Sequence, residues 1–155
     1  MIEVVRPGML DLVMDLGRPG YRAQGVPEGG AADAEALILA NRLVGNPERA
    51  AGLEMLLRGP RLRFPRGARL ALTGAPMPAR LDGAAVPWGQ TFDVAPGGEL
   101  ELGTAQKGLR AYLALAGGIA VPPVLGSRST FLPSAFGGWR GRALAAGALL
   151  PVGPA

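Results

Sequence analysis

Apolar and polar positions alternate along this chain in short runs, and a glycine or proline closes most of them within a few residues. That punctuation predicts a β-rich domain of short strands. Ile2 to Val5 reads as a first strand, closed by Pro7-Gly8, and Leu10 to Leu16 as a second apolar segment that carries Asp11 and Asp15. Gly17 to Gly30 has no periodicity and reads as loop. Further on, Leu53, Met55 and Leu57 alternate with Glu54, Leu56 and Arg58, and Arg61 to Phe64 and Arg69 to Thr73 follow. Asp82-Gly83 between Arg80-Leu81 and Ala84-Val86 is a tight-hairpin signal. Phe92 to Val94 and Glu99 to Leu102 flank a second hairpin at Ala95 to Gly98. Leu109 to Ala116 is the longest strand candidate, and Leu144 to Val152 supplies the last.

One segment changes period. Ala36, Leu37, Ala40, Leu43 and Val44 recur at helical spacing, with Asp33 placed to cap the start and Gly45 the end, before Asn46-Pro47. Roughly eight to ten short strands with this one helix predict a single, mainly β domain over residues 1–155, an antiparallel barrel closed or nearly so. Asn41 lies inside the helix and needs a hydrogen-bond partner there, which a neighbouring loop would supply.

Composition removes several kinds of chemistry. Cysteine and histidine are both absent from the 155 residues, which excludes disulfides, thiol nucleophiles, Ser-His triads and the usual zinc sites. Acid–base work falls to Asp, Glu, Tyr or the only lysine, Lys107, which reads as a solvated turn residue. The net charge of +4 is spread along the chain, and aromatic residues make up 5% of it. A nucleic-acid binder would show a basic stripe with aromatics to stack on, so that partner is not expected. No apolar run approaches membrane-spanning length and the N-terminus lacks a signal-peptide pattern, so a cytoplasmic protein is expected.

The candidate chemistry gathers in one stretch. Tyr112 to Gly118 leads into Val121-Pro-Pro-Val-Leu-Gly, and the polar tetrad Ser127, Arg128, Ser129 and Thr130 follows. One guanidinium with three hydroxyls suits a carboxylate or phosphate; the other reading is a loop whose hydroxyls cap their own backbone. Asp15 and Arg18 stand three apart across a turn, either orienting a substrate or locking the turn as an ion pair. Glu54 sits on the polar face of its strand. Lining a barrel mouth it would serve as general base or hold Mg²⁺ with nucleotide; facing solvent it would be an ordinary strand glutamate. Trp88 and Trp139, in Gly/Pro-rich loops, would either anchor a partner or rest against the barrel.

Four stretches taken in order resemble a known family. They are Asp15 to Tyr21 with Gly25-Val-Pro27, Ala40 to Asn46, Leu70 to Ala75, and Tyr112 to Thr130 with Gly137-Gly138 and Gly141-Arg142. Together they resemble the carboxyltransferase-like family of the C-type 5-oxoprolinase subunits, allophanate hydrolase subunit 2, the matching segment of urea carboxylases and a sporulation-kinase inhibitor antagonist. Members of that family are roughly twice as long, and this chain corresponds to their N-terminal half. It departs from them at Asp11-Leu-Val-Met14, where the family has Thr-Thr-Val-Gln, and at Gly29-Gly-Ala-Ala-Asp33, where it has Ser-Gly-Ala-Met-Asp.

The resemblance implies a cyclophilin-like β-barrel and a subunit of an ATP-dependent amidohydrolase that converts 5-oxoproline to glutamate with a smaller partner subunit. ATP and Mg²⁺ are implied as cofactors. Arg128 with Ser127, Ser129, Thr130 and Arg18 would bind substrate or phosphate, while Glu54 or Asp15 handles the proton or metal work. Two other readings stand beside it: a non-catalytic module that regulates by docking to the partner subunit, and a biotin-dependent carboxyltransferase domain. A half-length chain is also expected to associate, either with itself or with a separate chain carrying the second half.

Overall fold

Alternation of apolar side chains sorts the strands into two layers, and the computed structural model, which describes residues 1–155, shows them meeting over one core. One sheet contains β1 (Ile2–Arg6), β4 (Arg61–Phe64), β6 (Ala79–Leu81), β7 (Ala84–Ala85), β9 (Gly98–Leu102) and β11 (Leu149–Leu150). Its order is β11-β1-β4-β9-β6-β7. The other contains β2 (Asp11–Met14), β3 (Gly52–Leu56), β5 (Ala68–Gly74), β8 (Thr91–Val94) and β10 (Arg110–Leu115), in the order β2-β3-β10-β5-β8. Every ladder is antiparallel. Ile2, Val4, Leu62, Phe64, Leu100 and Leu102 of the first sheet bury against Val13, Leu53, Met55, Leu70, Leu72 and Leu113 of the second.

The mainly β architecture with one helix is as expected, but the ladders form two sheets and not a closed cylinder. The strands at the ends of the first sheet are two residues long, and Pro87 and Pro151, which lack an N–H, follow closely. The expected final strand shrinks for the same reason: only Leu149–Leu150 and a single bridge from Val152 to Ile119 pair. Asp82 and Gly83 both take positive φ, 48° and 87°, as the expected tight hairpin between β6 and β7 requires.

Helix α1 (Ala34–Leu43) covers the outer face of the second sheet. The Asp33 carboxylate accepts the Ala36 N–H at 3.1 Å, and Gly45, at φ 81°, ends the helix. Ala40 and Val44 pack on Ala71 and Ala114, small residues of β5 and β10 that let the helix approach closely. Asn41 is fully buried and donates to the carbonyls of Ala50 (2.9 Å) and Glu48 (3.3 Å), so its partner is the following loop, as expected. With a helix on one face and the core on the other, the second sheet is buried on both sides, which makes polar groups on its outer face consequential.

Candidate functional site

Two polar clusters form on the second sheet, and the segment Gly30 to Asp33 joins them. The first surrounds Asp15, just past the end of β2. Its Oδ1 accepts from the Gly17 N–H (2.8 Å) and the Ser129 hydroxyl (2.8 Å), and its Oδ2 accepts from the Arg128 N–H (2.7 Å). The Ser127 hydroxyl also donates to Oδ1, at 2.5 Å. Three donors thus meet at Oδ1 and one at Oδ2. Thr130 is turned inward too, its hydroxyl and its N–H both bonded to the Val13 carbonyl, at 3.0 and 2.9 Å. Ser127, Ser129 and the Arg128 N–H therefore converge on the protein's own Asp15 carboxylate, and Thr130 on the Val13 carbonyl.

Arg18 completes this clasp from below. It is 1% exposed, and its guanidinium donates to the carbonyls of Ser129 (2.7 Å), Val124 (3.2 Å) and Ser127 (3.4 Å) while stacking 4.8 Å from the Phe136 ring. Burial pulls its pKa below the ordinary value, and the Asp15 charge works the other way. No ion pair forms across the 15–18 turn; both residues instead bond the same two serines, one at their hydroxyls and the other at their carbonyls. Arg128 points its Nε at the Val121 carbonyl, 2.8 Å away, and staples the loop entry. Gly17 and Gly30 are needed where the two loops touch, since a Cβ there would lie 2.5 Å from the Glu28 oxygen and 2.6 Å from the Leu16 carbon respectively.

The second cluster centres on Glu54 of β3. Its strand faces neither a barrel mouth nor solvent: helix α1 and the segment leading into it cover the residue, which is 6% exposed. Oε2 accepts the Tyr112 hydroxyl at 2.6 Å and the Ala32 N–H at 2.8 Å, while the Tyr112 oxygen accepts the Asp33 N–H at 2.9 Å. Oε1 lies 3.7 Å from Arg110 Nε. Burial, with Glu54 adding to it, pushes the Tyr112 hydroxyl well above its ordinary pKa, so it stays protonated and donates. Tyr112 pairs directly with Glu54 in the β3–β10 register, and Arg110, two residues away along the strand, shares its face.

Beside this cluster is a cavity of about 290 Å³ lined by Ala32, Asp33, Gly74, Ala75, Gly108, Leu109 and Arg110. The guanidinium of Arg110 makes no hydrogen bond within the protein and has Glu54 as its ion-pair partner. An electrophile's oxygen or a carboxylate would find the Arg110 cation here, whose ion-pair partner Glu54 lies outside the cavity lining. Sequence reading singled out Glu54 but not Arg110 or Tyr112, although their i, i+2 spacing on a strand placed them on one face. Asp11 stands apart. It is 1% exposed, Oδ2 accepts the Gly8 N–H at 2.6 Å, and Oδ1 has no partner. Burial pushes its pKa up to about 6, against the pull of the Gly8 bond and the charges of Arg6 and Arg58.

No three acidic side chains come together in a group that would hold a metal ion, and no helix is long and apolar enough to cross a membrane. The family model for the carboxyltransferase domain, subdomain A and B, matches residues 24–155. The chain is 46% identical over 153 residues to the C-type 5-oxoprolinase subunit of Escherichia coli (strain K12), across 99% of this chain and 49% of that protein. It is 41% identical over 150 residues to urea amidolyase of Saccharomyces cerevisiae, across 96% of this chain and 8% of that one. The crystal structure of the K. lactis urea amidolyase superposes with a TM-score of 0.95 at 40% identity, over 97% of this chain and 9% of that chain. The chain thus spans about half the length of the 5-oxoprolinase subunit that it matches.

Proposed function

The chain belongs to the carboxyltransferase domain, subdomain A and B, family, and from that premise we propose that it is the first half of a 5-oxoprolinase-type subunit. In this reading it acts with a second β-rich half and a smaller partner subunit, in the cytoplasm, to open 5-oxoproline to glutamate at the expense of ATP. The observation that carries the reading is 46% identity over almost the whole chain, matched to 49% of such a subunit. The cavity lined by Arg110, beside Glu54, supports it in chemical terms. Arg110 would hold the substrate carboxylate, and Glu54 Oε1, free of hydrogen bonds, would take the proton from the water that attacks the lactam carbonyl. Tyr112 and the Ala32 N–H fix the other carboxylate oxygen and so the orientation of the base.

ATP and Mg²⁺ do not fit the 127–130 tetrad. Its hydroxyls already donate to Asp15 and Val13, and four donors from the chain itself crowd the Asp15 carboxylate. We therefore assign Asp15, Arg18, Ser127, Arg128, Ser129 and Thr130 to holding the site's loops, and derive no step through the nucleotide. Superposition at TM-score 0.95 on a urea amidolyase favours one second reading, a biotin-dependent carboxyltransferase domain.

Reconstitution separates the two. The chain is combined with a second-half polypeptide and the smaller subunit, and products are followed from labelled 5-oxoproline with ATP and from carboxybiotin. Glutamate and phosphate formed together bear out the proposal; carboxyl transfer without them supports the second reading.

A further inference from the structure

We infer that the turn around Trp139 is a binding site for a dianionic phosphate group, built from Arg140, Arg142 and unpaired backbone N–H groups. The turn is closed by the Gly141 N–H on the Gly137 carbonyl (2.9 Å) and the Arg142 N–H on the Trp139 carbonyl (3.1 Å). A second turn is closed by the Ala148 N–H on the Ala145 carbonyl at 3.1 Å. Between them lies a cavity of about 270 Å³ whose lining includes both arginines, Trp139 and Ala145 to Leu149, with no Asp or Glu among its residues. The two guanidiniums stack on the same indole, 5.1 and 4.9 Å from the ring centroid. Neither enters an ion pair, whereas Arg6, Arg42, Arg61, Arg63, Arg69 and Arg110 each have a carboxylate within reach.

Three physical facts converge on an anion. Aromatic stacking attracts each cation to the ring but leaves both charges uncompensated. The backbone N–H groups of Trp139, Arg140, Ala145 and Ala146, all residues of this cavity, have no backbone acceptor. Arg140 is also held at φ 53°, a left-handed conformation that a residue with a side chain adopts at a cost, and such strain gathers at ligand sites. A dianion with three accepting oxygens answers two guanidiniums and several N–H donors better than a single carboxylate does. This site is separate from the Arg110 cavity and does not depend on the proposed function.

Trp88 is the only other tryptophan, so Trp88→Phe leaves Trp139 as a reporter. Its fluorescence is titrated with inorganic phosphate, ATP and adenosine at fixed ionic strength. The expected result is a saturable change with phosphate and with ATP and none with adenosine. Binding should weaken about tenfold in Arg142→Ala and recover only in part in Arg142→Lys. Equal affinity for phosphate and ATP identifies the phosphate group alone as the ligand; tighter ATP binding shows that the nucleoside adds contacts. A response that does not saturate, or one unchanged in the Arg140→Ala, Arg142→Ala double variant, overturns the site. Calorimetric titration of the otherwise wild-type chain and of Arg142→Ala decides the same question if Trp88→Phe perturbs folding.

Discussion

Replacing Asp15 with alanine removes the acceptor from four donors at once: the N–H groups of Gly17 and Arg128 and the hydroxyls of Ser127 and Ser129. A buried donor left without a partner costs about 1–3 kcal/mol. The four costs are not additive, because hydroxyls rotate toward other acceptors and all four share one centre. We expect a net loss of about 4 kcal/mol, a large part of the roughly 5–15 kcal/mol that holds a typical domain folded. At this chain length about 1 kcal/mol moves Tm by roughly 2–4 °C, so Tm should fall by about 8–16 °C. Asp15→Asn keeps one accepting oxygen but turns an NH₂ toward donors, and should lose at least half as much. Thermal unfolding followed by tryptophan fluorescence gives the number, and limited proteolysis between residues 121 and 142 locates it, since the clasp holds that loop. A variant that melts within about 2 °C of wild type, its loop still protected, would show that the ring of bonds contributes little and would free Asp15 for another role.

Asp11 gives a pH-dependent test. Its pKa is raised in the folded state from the ordinary 3.8 to about 6, so the stability it contributes is fully present below 3.8 and is lost as pH rises through about 6. The shift corresponds to about 3 kcal/mol. Urea titrations of wild type and Asp11→Asn from pH 3.5 to 7.5 should diverge across that window, with the variant gaining relative to wild type toward neutral pH; parallel curves would mean that Asp11 titrates normally. Tyr112→Phe leaves Glu54 with one donor fewer and the Asp33 N–H without an acceptor, so it should cost about 1–3 kcal/mol and expose the start of α1 to faster amide exchange. Unchanged exchange at residues 32 to 36 would count against the role given to that hydroxyl.

Much of the fold was legible because local signals agreed. Asp33, the apolar spacing through Val44 and Gly45 set the helix, and Asp82-Gly83 set its hairpin. The β10 strand was placed to within one residue at each end. The architecture was less legible, because closing a barrel depends on edge pairing, and the edges here are two-residue strands beside prolines. In the tetrad the direction of the side chains was hidden: the partner that Ser127, Arg128 and Ser129 share, Asp15, lies 112 to 114 residues away, beyond any local pattern. Glu54 was weighed between a barrel mouth and solvent, and its actual setting beneath the entry to α1 appears only once the helix is laid on the sheet. Arg110 and Tyr112 share a face by strand period, but the apolar run around them marks a core strand and nothing local marks the pair as chemistry.

The most direct test of the account is the Glu54→Gln variant in an assembly with the second half and the smaller subunit. Glutamine keeps an accepting oxygen for Tyr112 and Ala32, so folding and assembly, checked by melting and size-exclusion chromatography, should match wild type. Release of glutamate from 5-oxoproline should fall by about 10²–10⁴-fold, the usual effect of removing a general base. Turnover retained within about twofold of wild type, in an intact assembly, would contradict the assignment of proton transfer to Glu54.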